Sequence, residues 1–180
     1  MDFFELINKR ESCRNFNKEK KVETQLLEKC VQWASLAPSA CNSQPWSFVA
    51  VNEEKTAEKI AESVQGGGFN PYASQAPAFI VVCKEKAKLL DSFEKAGADS
   101  NSFRENDLGM ALSYLTLAAT ENGLSSCILG WRDDKLVRAA LKLEEKKEIH
   151  CVVAIGYSAD ENPPRKKKRK PLEEIFSVIE

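Results

Sequence analysis

Histidine is almost missing from this chain of 180 residues; His150 is the only one. A serine or cysteine nucleophile needs a base beside it. The one imidazole available sits in Ile149-His150-Cys151-Val152-Val153, a strand-like run that suits a structural or surface histidine. No serine carries the glycine flanks of a nucleophile elbow. Gly66-Gly67-Gly68 is the one glycine cluster. It has neither the spaced glycines of a dinucleotide fingerprint nor a Gly-Lys-Ser ending, so it reads as a flexible loop. Cysteines 13, 30, 41, 83, 127 and 151 include no Cys-x-x-Cys pair. With a single histidine beside them no metal site is expected, and free cysteines in apolar runs suit a reducing compartment. No apolar run approaches the roughly 20 residues of a membrane span. The opening Met1-Asp2-Phe3-Phe4-Glu5 lacks the charged-then-apolar order of a secretion signal. Neither sign of charge dominates: the net charge is -1, which gives no global reason to expect nucleic acid. The expectation is a cytoplasmic protein with no membrane and no nucleic-acid partner.

The length suits one domain over residues 1–180, able to bury roughly 70% of its unfolded surface without disulfide or metal. Phe3, Leu6 and Ile7 recur at helical spacing over residues 2–9. Thr24 reads as the N-cap of a second helix, with Leu26, Leu27, Cys30, Val31, Ala34 and Leu36 on one broad face and Pro38 closing it. Residues 47–51 read as a strand, 53–65 as a charged amphipathic helix, and 78–83 as a strand buried on both faces. The strongest helix signal covers 103–122. It is apolar almost all round through Leu108, Ala111, Leu112, Leu115, Ala118 and Ala119, with Gly123 as its C-cap. Such a helix belongs at the centre of a core or in a dimer interface. A strand over 126–131, a helix over 133–141, a strand over 149–156 and a short helix from Leu172 complete the pattern. The many carboxylates fall in helical charge patterns and read as solvated faces. This order predicts α/β or α+β with a sheet of at least four strands.

Between the second helix and the first strand runs Ala37-Pro38-Ser39-Ala40-Cys41-Asn42-Ser43-Gln44-Pro45-Trp46-Ser47-Phe48. Its small residues let a flat ligand approach the backbone, its hydroxyls and amides donate and accept hydrogen bonds, and its prolines stiffen it. On composition alone it is also an ordinary helix-to-strand loop. The remaining chemistry is cationic. Arg10, Ser12 and Arg14 alternate, so in an extended segment they face one way, and Lys167 and Arg169 alternate near the other end. Two such forks could converge on one phosphate. Each alone is equally a solvated charge, and Pro164-Arg165-Lys166-Lys167-Lys168-Arg169-Lys170 also has the look of a nuclear-import or nucleic-acid-binding patch.

Arg10-x-Ser12-x-Arg14-x-Phe16, followed by Pro38-Ser39-Ala40-Cys41-Asn42-Ser43-Gln44-Pro45-Trp46, resembles the first two motifs of the nitroreductase family of flavin enzymes. Asp107-x-Gly109-x-Ala111 through Leu117-Ala118-Ala119 to Gly123-Leu124 resembles its central helix. Gly156-Tyr157 followed by Lys167-x-Arg169-Lys170-Pro171-Leu172-Glu173-Glu174 resembles its C-terminal motif. The matches keep order and spacing over nearly the whole chain.

The resemblance implies an α+β fold, a central mixed β-sheet wrapped by helices, and a homodimer with FMN held non-covalently at the subunit interface. It implies that Arg10, Ser12, Lys167 and Arg169 hold the phosphate and ribityl end and that Arg14 lies near the N1/O2 side of the ring. Pro38, Ser39, Ala40 and Asn42 would come from the partner subunit, Asn70 would reach the pyrimidine edge, and Leu129 and Gly130 would bring backbone amides beside N5. No side chain is assigned a catalytic role, because the chemistry lies on flavin N5; a cation near N1 favours the anionic reduced ring. The implied reaction passes a hydride from NAD(P)H through the flavin to a second acceptor such as a nitroaromatic or a quinone. Donor and acceptor use the same open face in turn, so no dinucleotide fingerprint is needed.

The chain departs from the family pattern in three places. Longer members carry an insertion that helps cover the flavin, where residues 85–102 here are brief and polar. Any C-terminal arm around a partner is expected to be short. Cys41 stands where a small non-sulfur residue is commoner, either as apolar fill or as a thiol acting on the flavin. Two other readings stay open: a flavoprotein of the same fold doing dehalogenation, flavin cleavage or peptide-ring oxidation, and a non-enzymatic module whose basic run binds nucleic acid or an acidic partner.

Overall fold

The computed structural model describes residues 1–159 and 165–180; Pro164, at the head of the basic run, lies outside the described residues. The helices are α1 (Phe3–Lys9), α2 (Thr24–Ala34), α3 (Glu54–Ser63), α4 (Asp91–Lys95), α5 (Ser100–Glu121) and α6 (Asp134–Leu141). The strands are β1 (Trp46–Val51), β2 (Ala78–Lys84), β3 (Ser125–Leu129) and β4 (Ile149–Gly156). The sheet has four strands in the order β1-β2-β4-β3, with helices on both faces, an α+β fold.

Every ladder is antiparallel, where the resemblance implies a mixed sheet. The reason is that each strand returns reversed beside its neighbour, so among the described residues parallel pairing is confined to one isolated bridge, Ser12↔Ser126. That bridge lies at the free edge of β3 and introduces the candidate site.

The side-chain period of two divides the core. Ala78, Ile80 and Val82 of β2 join Cys151, Val153 and Ile155 of β4 under α2 and α5. Phe79, Val81 and Cys83 join Val152, Ala154, Cys127 and Leu129 under α3 and α6. Ile149 packs with the second group although it shares parity with the first. A register shift where Cys83 pairs with Ile149 while Val82 pairs with Cys151 accounts for this; the bulge leaves His150 outside the ladder, its half-buried side chain against Glu105 of α5.

α5 is bipolar. Asp107, Leu108, Ala111, Leu112, Leu115, Thr116, Ala118, Ala119 and Thr120 are buried, whereas Gly109, Ser113 and Tyr114 remain exposed. Asp99 caps its start by accepting from the amides of Asn101 (3.0 Å) and Ser102 (3.2 Å). Gly123 stands one position beyond the C-cap Asn122, at φ 75°, the left-handed conformation that glycine adopts without strain.

Four local expectations shift. Glu23, not Thr24, precedes the first turn of α2, because the Thr24 hydroxyl accepts from Asn52 Nδ2 at 2.9 Å and ties the helix to the end of β1. β3 stops at Leu129, since Trp131 turns away to stack on Phe69. The glycine cluster forms a 3-10 turn beneath that indole. The segment after Pro171 makes only one such turn, Leu172–Glu174. Among the described residues no helix is long and apolar enough to cross a membrane.

Candidate active site

The cationic end is built by two segments far apart in sequence. α1 is held at its start by a reciprocal capping box: Asp2 Oδ1 accepts from the Glu5 amide at 2.8 Å, and Glu5 Oε2 from the Asp2 amide at 3.2 Å. It ends at Arg10, whose backbone is extended. The chain then follows the β3 edge, with the Cys13 amide donating to the Ser126 carbonyl at 2.9 Å. Cys13 and Phe16 are buried, while Arg14 is exposed. The basic tail folds back onto this segment. Lys167 Nζ donates to the Arg10 carbonyl at 2.7 Å, and Arg165 Nη2 to the Ser12 carbonyl at 2.8 Å. Arg165 Nε also pairs with Glu11 Oε2 at 3.1 Å.

The two cationic forks therefore meet. Partial burial, and behind it the positive charges of Arg10 and Arg169, hold the Lys167 ammonium below its ordinary value, with Glu11 offsetting only part of the repulsion. Lys167 thus sits among cations with only partial compensation from Glu11, which is the electrostatic condition for binding an anion.

Farther along β3 the character becomes polar and planar. The Arg14 guanidinium stands 5.9 Å from the centre of the Tyr72 ring. The Tyr72 hydroxyl lies 3.2 Å from Asn70 Oδ1 and 3.5 Å from Cys127 Sγ, in the middle of β3. Asn70 Nδ2 donates to the Val64 carbonyl at 2.9 Å, the end of α3. Leu129 is buried, and at the exposed Gly130 a Cβ would meet nothing within 4 Å. Backbone approach is open there.

Beyond Gly130 the rings of Trp131 and Phe69 stack at 5.3 Å with 25° between planes. A Cβ on Gly66 would come 2.2 Å from the indole, so the glycine is what lets the turn sit under Trp131.

The structure brings Arg10, Ser12, Arg14, Asn70, Leu129, Gly130, Lys167 and Arg169 to this edge. It holds Pro38, Ser39, Ala40 and Asn42 elsewhere. Asp107 fixes that loop, accepting from the Ala40 amide at 3.2 Å. The N-terminal ammonium of α1's lead-in pairs with Glu121 at 3.3 Å. Asp107 and Glu121 are 14 residues apart on α5, about 21 Å along the helix axis. Within the loop, Ser39 Oγ accepts from the Gln44 amide at 2.9 Å and Asn42 Oδ1 from Gln44 Nε2 at 3.1 Å. Cys41 is exposed, at φ 53°.

Sequence reasoning missed Tyr72, Asp107 as a tether, and the Phe69–Trp131 stack. Asp107 carried a usable signal: it shares a helical stripe with Ala111, Leu115 and Ala118, all buried. Tyr72 carried none, because its partner on β3 is 55 residues away. His150 lies at the start of β4, five residues from Ile155, the partner of Ser126; that is about 17 Å along the strand. It contacts Glu105 at 3.3 Å, away from the cationic end. Among the described residues no two cysteines form a disulfide. Burial pushes the Cys30 thiol to about 11 and Cys151 to about 12, so both behave as apolar filling.

The profile of the nitroreductase family matches residues 7–69 and 65–157 of this chain. An oxygen-insensitive NADPH nitroreductase of Helicobacter acinonychis is 28% identical over 198 residues, covering 93% of this chain and 91% of its own. An iodotyrosine deiodinase of Thermotoga neapolitana is 26% identical over 182 residues, covering 89% of this chain and 90% of its own. A protein of Exiguobacterium sibiricum, solved in complex with FMN, has the same fold, with a TM-score of 0.82 at 20% identity over 99% of this chain and 98% of its own.

Proposed function

The chain belongs to the nitroreductase family, and from that premise we propose that it is a homodimeric FMN-dependent oxidoreductase, taking reducing equivalents from NADH or NADPH and passing them to a nitroaromatic or quinone acceptor. The observation that carries the reading is the return of the basic tail onto residues 10–12, with Lys167 Nζ 2.7 Å from the Arg10 carbonyl and Arg165 Nη2 2.8 Å from that of Ser12, which sets Lys167 among the charges of Arg10 and Arg169. The phosphate of FMN supplies about two negative charges and several acceptor oxygens, a match for that donor set.

The other residues fit the rest of the cofactor in the same sense. Arg14 presents a cation to the pyrimidine side, where it would favour negative charge on the reduced ring. Asn70 presents an amide edge. The backbone at Leu129 and Gly130 can approach N5 without a side chain intervening at Gly130. Pro38, Ser39, Ala40 and Asn42 would be supplied by a second copy of the chain. When bound, FMN provides the hydride chemistry; the protein contributes binding, orientation and charge.

Two residues of the basic run are engaged within this arrangement. Arg165 and Lys167 are turned onto residues 10–12 of their own chain, which favours the cofactor role over a free nucleic-acid patch. The deiodinase relative keeps reductive dehalogenation as a second reading.

The visible absorption spectrum of the purified protein, followed by anaerobic addition of NADH or NADPH, tests the proposal. A yellow protein that bleaches, and recovers colour with a nitroaromatic or quinone, supports it. Recovery only with a halogenated aromatic moves the function to dehalogenation. A protein that is colourless and refuses added FMN overturns the flavin assignment.

A further inference from the structure

Hydrogen-bonding chemistry leaves one orientation for the Asn70 side chain. Its Nδ2 lies 2.9 Å from the Val64 carbonyl oxygen, which can only accept, so Oδ1 must face the other way. There it meets the Tyr72 hydroxyl at 3.2 Å. An amide oxygen only accepts, so the phenol donates. With its single proton committed, the phenol oxygen is left to accept from the Cys127 thiol at 3.5 Å; the Ile128 carbonyl is a more distant acceptor for that thiol, at 3.9 Å. Donation therefore runs in one direction, from Cys127 to Tyr72 to Asn70 to Val64. Burial pushes the phenol above its ordinary 10.0, so its proton persists through the neutral range.

The backbone tightens the same unit. Asn70 sits at φ 47°, a left-handed conformation that costs a non-glycine residue free energy. Gln65 Nε2 donates to the Pro71 carbonyl at 3.0 Å across that turn.

We propose that Tyr72 is a positioning residue for the flavin head: its hydroxyl locks the Asn70 amide so that the remaining Nδ2 proton and Oδ1 lone pair face the pyrimidine edge in one arrangement. This rests on the flavin reading above. Without the hydroxyl the Asn70 amide keeps one anchor, at Val64, and can turn away from the ring. A phenylalanine at 72 keeps the ring beneath Arg14, so Tyr72→Phe isolates the hydroxyl.

The full-length protein, reconstituted with FMN, is compared as wild type, Tyr72→Phe, Asn70→Ala, the double variant and Cys127→Ala. Readouts are FMN affinity from flavin fluorescence, the spectrum and midpoint potential of bound FMN, and the melting of the apoprotein. Tyr72→Phe should weaken FMN about fivefold, the scale of one neutral hydrogen bond, and shift both spectrum and potential without moving the apoprotein melt. Added to Asn70→Ala it should change nothing further, since the two act as one unit. Cys127→Ala, which removes a donor to the phenol but leaves the phenol's own bond to Asn70, should have the smaller effect on every FMN readout. A Tyr72→Phe protein with native affinity, spectrum and potential overturns the inference, as does full additivity with Asn70→Ala or an equal effect from Cys127→Ala. A wild type that takes up no FMN overturns the flavin reading and this inference together; the other failures touch this inference alone.

Discussion

Both carboxylate oxygens of Asp107 lie 3.2 Å from the amide nitrogen of Ala40, although the aspartate is only 2% exposed. A buried carboxylate is costly unless it accepts hydrogen bonds, so this contact accounts for an acidic residue on the buried stripe of α5. It also anchors a loop in which Cys41, Asn42 and Gln44 are all left-handed, at φ 53°, 50° and 46°. Asp107→Ala should cost about 1–3 kcal/mol of stability, the scale of an amide left without its partner. Asp107→Asn, which keeps an acceptor, should cost less. Because the loop is assigned to the cofactor, FMN affinity should fall in the same order. Urea melts and FMN titration of the apoprotein check both. An alanine variant as stable as wild type, with unchanged FMN affinity, would show that the loop holds its shape without the carboxylate.

Where local sequence decided the outcome, the sequence was readable. Six apolar residues in a row make β2 buried on both faces whatever surrounds it, and β4 is bounded where its apolar run is bounded. Gly123 marks the end of α5 because the left-handed residue there needs glycine. Partners distant in sequence were not readable. Thr24 looks like a cap until Asn52, 28 residues away, takes its hydroxyl. Trp131 belongs to an apolar run, and only its stacking on Phe69 shows why β3 stops two residues earlier. The alternation of Arg10, Ser12 and Arg14 suggested an extended segment, and the structure supplies one at the β3 edge. The return of Lys167 to the Arg10 carbonyl depended on the tail's path, which no local pattern encodes.

An anion should relieve the crowding around Lys167. Its folded-state pKa is depressed below the ordinary 10.5, so its contribution to stability is present only above that value and is lost as pH falls. At neutral pH the unfavourable term is fully present. Inorganic phosphate should therefore raise the apoprotein's melting temperature more than chloride at equal ionic strength. Arg10→Ala combined with Arg169→Ala should abolish this effect and weaken FMN by about a hundredfold or more, the scale of two charge-assisted hydrogen bonds. The double variant should still fold. If it purified with full flavin occupancy, the phosphate assignment would be wrong.

Acid should destabilise the fold in two stages. Burial, with Lys84 and Arg132 behind it, depresses His150 below 6.5 despite the opposing Glu105, so the 3.3 Å contact with Glu105 is a hydrogen bond of the neutral ring at neutral pH. A depressed histidine contributes stability that is complete above 6.5 and drains away as pH falls toward its folded value. Glu85, held down by Lys147 and Ser47, begins to lose its contribution only below 4.5. Glu105 behaves likewise: burial alone would raise it, but Lys84, His150 and Arg104 together outweigh that. His150→Gln should flatten the upper stage of a stability–pH curve and leave the lower one. Urea midpoints measured from pH 7 to 4 give the answer; an unchanged upper slope would remove His150 from the account.

The tail carries the last prediction. Leu172, Ile175, Phe176, Val178 and Ile179 are 61% to 98% exposed, and α1 buries none of its residues while Phe3 and Phe4 stand 69% and 72% exposed. Apolar side chains at that density mark a surface awaiting a partner. The tail is tied to residues 10–12 of its own chain by Arg165 and Lys167, and its apolar end begins five residues beyond Lys167. Deleting residues 172–180 should shift the protein toward monomer at micromolar concentration. FMN affinity should fall with it, because Pro38, Ser39, Ala40 and Asn42 would no longer be delivered by a second copy. Stabilisation by inorganic phosphate should survive, since Arg10, Lys167 and Arg169 remain. Sedimentation equilibrium, flavin titration and melts with phosphate separate these effects. A truncated monomer that kept native FMN affinity would mean one protomer holds the cofactor alone, and a truncated dimer would mean that α1 and the exposed face of α5 suffice for association.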